Sequence, residues 1–141
     1  MSEGLSRCDR LDRWAMVLER AEVTRVAPFR DVEFLPPFIG ANLRTANSAL
    51  DLAYRDPVLR RAGLGSDRYG DGTEFFGLSP YRAHRILCSC AYFGPVQATE
   101  VARRIRAVAA RQRLREWLGG AISAAARWLG GRALPAAVSR G

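Results

Sequence analysis

Between residues 98 and 129 apolar side chains recur with a helical period, but the stripe they form changes face once. At about 100° per residue, Val101, Ile105 and Val108 line one side of a helix. Leu114, Trp117, Leu118, Ile122, Trp128 and Leu129 line another, displaced by roughly half a turn. One straight helix would therefore offer two faces to two different surroundings. The tripeptide "RQR" at 111–113 marks the switch. The pattern predicts a body helix ending near 112 and a second, separately facing amphipathic helix over 114–129. Trp-Leu-Gly-Gly occurs at 117–120 and again at 128–131, eleven residues on, which returns the second tryptophan to the same face.

The rest of the chain is punctuated into short helical blocks. Leu11, Trp14, Ala15, Leu18 and Ala21 share one face, and Ser6 with Asp9 resembles a capping box at its start. Residues 41–55 return to helical spacing through Leu43, Ala46, Leu50, Ala53 and Tyr54. Asp56-Pro57 and Ser79-Pro80 each join an N-cap to a proline at the first helical position. The second of these predicts a helix to about Cys90, before Gly94-Pro95. Pro28, Pro36 and Pro37 make 22–40 an extended connector with at most a short strand at Val32 and Phe34. "GSDRYGDG" at 65–72 reads as a turn-rich loop.

These blocks predict a mainly α fold: a compact bundle of about five helices with a Pro-rich extended connector and a separate C-terminal amphipathic helix. The domains are a helical globular domain at 1–112, a basic amphipathic helix at 113–131 and a disordered tail at 132–141. The expected core is Leu11, Trp14, Leu18, Phe34, Leu50, Phe75, Phe76, Leu78, Ile86, Leu87, Val101, Ile105 and Val108, with Phe29 and Phe38 plugging it from the connector.

Charge divides along the same line. The 141 residues carry a formal net charge of +8, with arginine as the basic residue throughout and no lysine. Residues 1–99 hold 13 arginines against 12 acids, whereas residues 100–141 hold nine against two. Such asymmetry suits a basic face able to meet an anionic partner. No window of about 18 apolar residues offers a bilayer-spanning helix. The N-terminal "MSEGLSRCDRLDRW" lacks the apolar stretch of a signal peptide, which predicts a cytoplasmic location.

Residues 43–109 resemble a family of small, uncharacterised bacterial and phage helical proteins. Its members carry a Cys-Gly-Thr-x-x-Cys-Ala helix start, a Phe-Gly-Leu-Ser/Thr helix start and a final x-x-Val-Ala-x-x-Ile helix. The matching text is "LRTANSALDLAYRDPVLRRAGL", "FFGLSPYRAHRIL" and "ATEVARRIRAVA". The resemblance implies a compact helical domain and no particular activity. Leu43 and Ser48 stand where the family has cysteines, so no thiol or metal role carries over from them.

Chemistry-bearing patterns are few. His84, Cys88 and Cys90 form H-x3-C-x-C, in which His84 and Cys88 would share a helix face within reach of one metal ion or serve as base and nucleophile. The ordinary reading is a buried Cys88 and a half-exposed His84. Three cysteines form no disulfide framework. Neither a phosphate loop nor an EF-hand is present, so no cofactor, metal or catalytic residue is assigned and the chain reads as non-enzymatic. Two groups remain. Arg103, Arg104, Arg106, Arg111, Arg113 and Arg115 are the residues for an anionic partner, and Trp117 and Trp128 those for an apolar one. They suit an interaction or accessory protein whose partner is another protein or a second copy of the chain. Nonspecific nucleic-acid binding and attachment to a membrane surface are the alternatives.

Overall fold

The computed structural model describes residues 4–140, with side chains through residue 130. The chain is mainly helical and forms two compact units that divide between Ala109 and Ala110. The helices are α1 (Arg7–Glu19), α2 (Pro37–Ala41), α3 (Ala49–Arg55), α4 (Pro57–Ala62), α5 (Tyr69–Phe75), α6 (Pro80–Leu87) and α7 (Ala98–Arg140).

Local chemistry sets most of these starts. Ser6 Oγ accepts from Asp9 N at 3.1 Å, Ser48 Oγ from Asp51 N at 3.0 Å and Ser79 Oγ from Arg82 N at 3.2 Å. Asp56 caps α4 through Leu59 N, and Pro57 and Pro80 occupy the first helical positions, where no amide donor is needed.

The core of the first unit is built around α1. Leu11, Trp14, Ala15 and Leu18 are buried, as the period requires. Trp14 stacks on Phe76 with ring centroids 4.1 Å apart and donates from Nε1 to Ala49 O at 2.9 Å. α1 packs on α3 and α4, and α2 on α5. Val101, Ala102, Ile105, Val108 and Ala109 seal the core from α7.

The connector 22–36 is extended at both ends of its first half. Val26 N donates to Val96 O at 3.0 Å, and Ala98 N, at the start of α7, donates to Thr24 O at 2.8 Å. Phe29 is fully buried and bridges Cys88 through its backbone. Val32 and Phe34, however, lie in a 3-10 turn and not a strand. That turn aims Val32 inward and leaves Phe34 79% exposed, so Phe34 is not core. Phe38, at 80% exposure, does not plug the core either, because Pro36-Pro37 starts the short helix α2 and turns it outward.

Three other expectations change. The helix expected over 41–55 occupies only its second half, since Asn47 takes a left-handed conformation and Ser48 caps afresh. The expected loop at 65–72 already contains the start of α5. Finally, the backbone of α7 passes residue 112 without a break, so both apolar stripes belong to one 43-residue helix. The residues around the switch are good helix formers, and no Gly or Pro interrupts them before Gly119. The tail expected at 132–141 lies outside the described side chains.

The glycines of α5 are therefore packing residues. A Cβ on Gly70 would lie 2.7 Å from Ala41 Cβ and 3.0 Å from Ala41 O, a backbone atom that cannot swing aside. Gly119, in contrast, has open space around it. Ala gains up to about 1 kcal/mol over Gly in helix propensity at either site. Gly70→Ala should nonetheless lower unfolding stability by about 1–3 kcal/mol, because overpacking outweighs propensity. Gly119→Ala should instead raise helicity. Urea unfolding and far-UV circular dichroism check the two signs.

Candidate functional site

The six arginines fall into two sets. Arg103 and Arg104 both pair with Glu100 one turn earlier on α7. Arg104 also donates to Arg85 O at 2.7 Å and stacks over Tyr92, 4.0 Å from the ring centroid. Arg106 reaches α1, donating to Glu19 at 2.7 and 2.8 Å and standing 3.5 Å from Asp12. These three hold the first unit together. Arg111, Arg113 and Arg115 lie on the exposed continuation of α7, and Arg111 and Arg115 form no ion pair among the described residues. The acids that divide the set, Glu19 and Glu100, are far apart in sequence or hidden in one helix turn, and a charge count does not separate them from solvated residues.

Trp117 and Trp128 share a face, together with Leu114, Leu118, Ile122 and Leu129, and all six are exposed. At 67% exposure, Trp117 and Ile122 stand at opposite edges of an apolar arc about 140° wide. Ala121 and Ala125 fill its middle. Gln112, Glu116, Ser123 and Arg127 occupy the opposite side. Gln112 donates to Glu116 at 2.9 Å. Arg115 flanks the Ile122 edge and Arg113 the Trp117 edge, so guanidinium groups border the apolar arc on both sides.

His84, Cys88 and Cys90 do not form a site. α6 ends at Leu87, where Phe29 N takes Leu87 O at 2.8 Å and Ser89 N returns to Phe29 O at 2.8 Å. Cys88 is thus the C-cap, with extended backbone angles, while its N–H still donates to His84 O at 3.1 Å. Its Sγ is buried 3.8 Å from Tyr69 Oη. Burial pushes the Cys88 thiol up to about 11, against its nucleophilicity at neutral pH. Among the described residues no three His, Cys, Asp or Glu side chains converge on a metal-sized space.

One apolar groove, about 360 Å³, opens in the first unit between Val32, Leu35, Tyr69, Leu78 and His84. Thr73 Oγ1 on its wall donates to Gly70 O at 3.2 Å, and Tyr69 Oη faces Cys88. The groove's polar lining is Tyr69, Thr73 and His84 on an otherwise apolar wall. Exposed Phe34, Phe38, Ile39 and Tyr81 belong to the same unit. Sequence periodicity does not find them, although Pro36-Pro37 as a helix start was a usable signal.

No family model, curated protein or solved structure matches this chain.

Two measurements follow from the site's electrostatics. Thiol reagents at neutral pH should modify exposed Cys90 quickly, and buried Cys8 and Cys88 only after unfolding. Mass spectrometry of labelled native protein reads this directly. The second concerns acid. Arg103 and Arg104 hold the Glu100 carboxyl down at about 2, Arg106 lowers Glu19 and Arg13 lowers Asp56. A carboxylate with a depressed folded pKa contributes stability in full above its unfolded value, near 4. That contribution disappears as pH falls through the folded value. Thermal midpoints should therefore drop between about pH 4 and 2, and Glu100→Gln should make that drop shallower.

Proposed function

We propose that this protein is a non-enzymatic interaction protein that engages its partner through the basic amphipathic segment 110–130 of α7. The observation that carries this reading is the exposure of Leu114, Trp117, Leu118, Ile122, Trp128 and Leu129 on one arc. Six large apolar side chains on one face are a contiguous patch of the kind that marks interaction surfaces. Tryptophans at its edge add the residue type most enriched in binding hot spots.

The arginines refine the reading. Arg103, Arg104 and Arg106 are engaged with Glu100, Glu19 and Asp12, which weighs against a six-arginine stripe tracking phosphates. Arg111 and Arg115, which form no ion pair among the described residues, stand beside an apolar centre instead. Nucleic-acid contact, which rests on phosphate charge alone, leaves that centre uncovered.

Ile122→Asp puts a charge at the edge of the arc, outside the first unit. The variant should keep the native thermal midpoint. It should lose, at least tenfold, whichever association the native chain shows in sedimentation equilibrium, vesicle co-flotation or DNA mobility shift. Identical behaviour of native chain and variant in all three would overturn the assignment of 110–130 as the contact surface.

A further inference from the structure

The geometry points to an anionic phospholipid surface as what covers the apolar arc of residues 110–130, with the helix lying in the plane of the headgroups. This deepens the interaction reading above and rests on it.

Three features select this occupant. The first is charge. Within 110–130 the arginines at 111, 113, 115 and 127 face a single acid, Glu116, and Glu116 is engaged by Gln112. A second copy packing arc against arc would bring the same surplus of arginine against this one, with only its own Glu116 to answer it. A surface of phosphodiester headgroups covering the arc supplies negative charge to Arg111 and Arg115 beside it.

The second feature is where the charges sit. Arg115 lies about 20° beyond the Ile122 edge of the arc, and Arg113 about 40° beyond the Trp117 edge. Long side chains at those borders can bury their methylene stems and lift their guanidinium groups to phosphate level. The tryptophans at the rim have an apolar body with an indole N–H, suited to the boundary between acyl chains and headgroups.

The third is size. The described part of the segment spans about 30 Å and carries Ala121 and Ala125 between its large side chains, so the apolar face is shallow and continuous. No helix among the described residues is long and apolar enough to cross a membrane. A shallow, flanked face of this length fits a helix lying on a bilayer.

The test uses the full chain and vesicles of phosphatidylcholine, with and without about 30 mol% phosphatidylglycerol. Co-flotation should recover the protein with anionic vesicles at low salt and far less with neutral ones. Tryptophan emission should shift to the blue on anionic vesicles, with the shift reduced in Trp117→Phe and Trp128→Phe, because Trp14 is already buried. Arg115→Gln should weaken binding about fivefold, and Arg61→Gln, on the exposed surface of α4, should leave it unchanged. Equal recovery with neutral and anionic vesicles, or recovery with neither, overturns the inference. If vesicles fail while Ile122→Asp abolishes self-association, a second copy covers the arc and the broader reading stands. If vesicles fail while Ile122→Asp abolishes a DNA mobility shift, the occupant is nucleic acid. If Ile122→Asp changes nothing anywhere, both fall together.

Discussion

Trp14 is the point at which the first unit's elements meet. Its ring stacks on Phe76 beyond the end of α5, and its indole N–H is satisfied by Ala49 O at the first turn of α3. A fully buried indole without a partner would carry a desolvation cost of about 1–3 kcal/mol, so the position of α3 is fixed as tightly as the stack is. Truncations of a residue like this typically cost about 3–5 kcal/mol, a large part of a small domain's stability. Everything else in the body is arranged around that constraint. Leu11 and Leu18 lie on the same face of α1, and Arg13, on its flank, grips Asp56 with two hydrogen bonds of 2.9 and 2.8 Å. Asp56 also caps α4, so one carboxylate ties α1 to the start of a second helix.

The same chain uses arginine in two ways. In the body each guanidinium tends to close a gap between elements: Arg13 to Asp56, Arg44 to buried Asp67, and Arg106 to Glu19. Arg104 does three things at once, pairing with Glu100, donating to Arg85 O and lying on Tyr92. A lysine could supply the charge but not the planar fork or the stacking face. Along 110–130 a single acid, Glu116, remains, and Arg113 and Arg115 border apolar surface. Net charge alone hides this change of role, because both sets add equally to the total.

Much of the fold could be read from sequence because short-range chemistry decides it. The caps at Ser6, Asp56 and Ser79 and the stripe of α1 need no tertiary knowledge. "Phe-Gly-Leu-Ser-Pro" at 76–80 is likewise local: Gly77 adopts a φ of +66° and Ser79-Pro80 restarts the helix. The misread glycines are set by packing partners, and the misplaced phenylalanines by short turns within the connector. Gly70 and Gly72 look like turn residues in "DRYGDG", yet they are helical and let α5 approach Ala41 and Leu50 closely. Phe34 and Phe38 have the apolarity of core residues, but the 3-10 turn and α2 carry them outward. Of the candidate site, the apolar face was legible in full, since it is periodicity alone. The division of the arginines was legible only in part: Glu100 lies within one turn of Arg103 and Arg104, whereas Glu19 meets Arg106 from 87 residues away.

The unbroken course of α7 has a physical cause that the change of stripe conceals. Starting a helix is costly because several residues must be fixed for the first hydrogen bond, whereas extending one is nearly neutral for good helix formers. Val101, Ala102 and Ile105 are held helical by burial, so the residues after Ala109 extend an existing helix. Amphipathic pattern then governs which face is apolar, not where the helix stops. Gly119 and Gly120 weaken the extension by roughly 1 kcal/mol each relative to alanine, and among the described residues nothing lies within 4 Å of where their Cβ atoms would be. An exposed helix with internal glycines lies at the less stable end of a protein's local opening scale. Any surface that takes up the arc from Trp117 to Ile122 would therefore also stabilise the helix that carries it, coupling binding to local order.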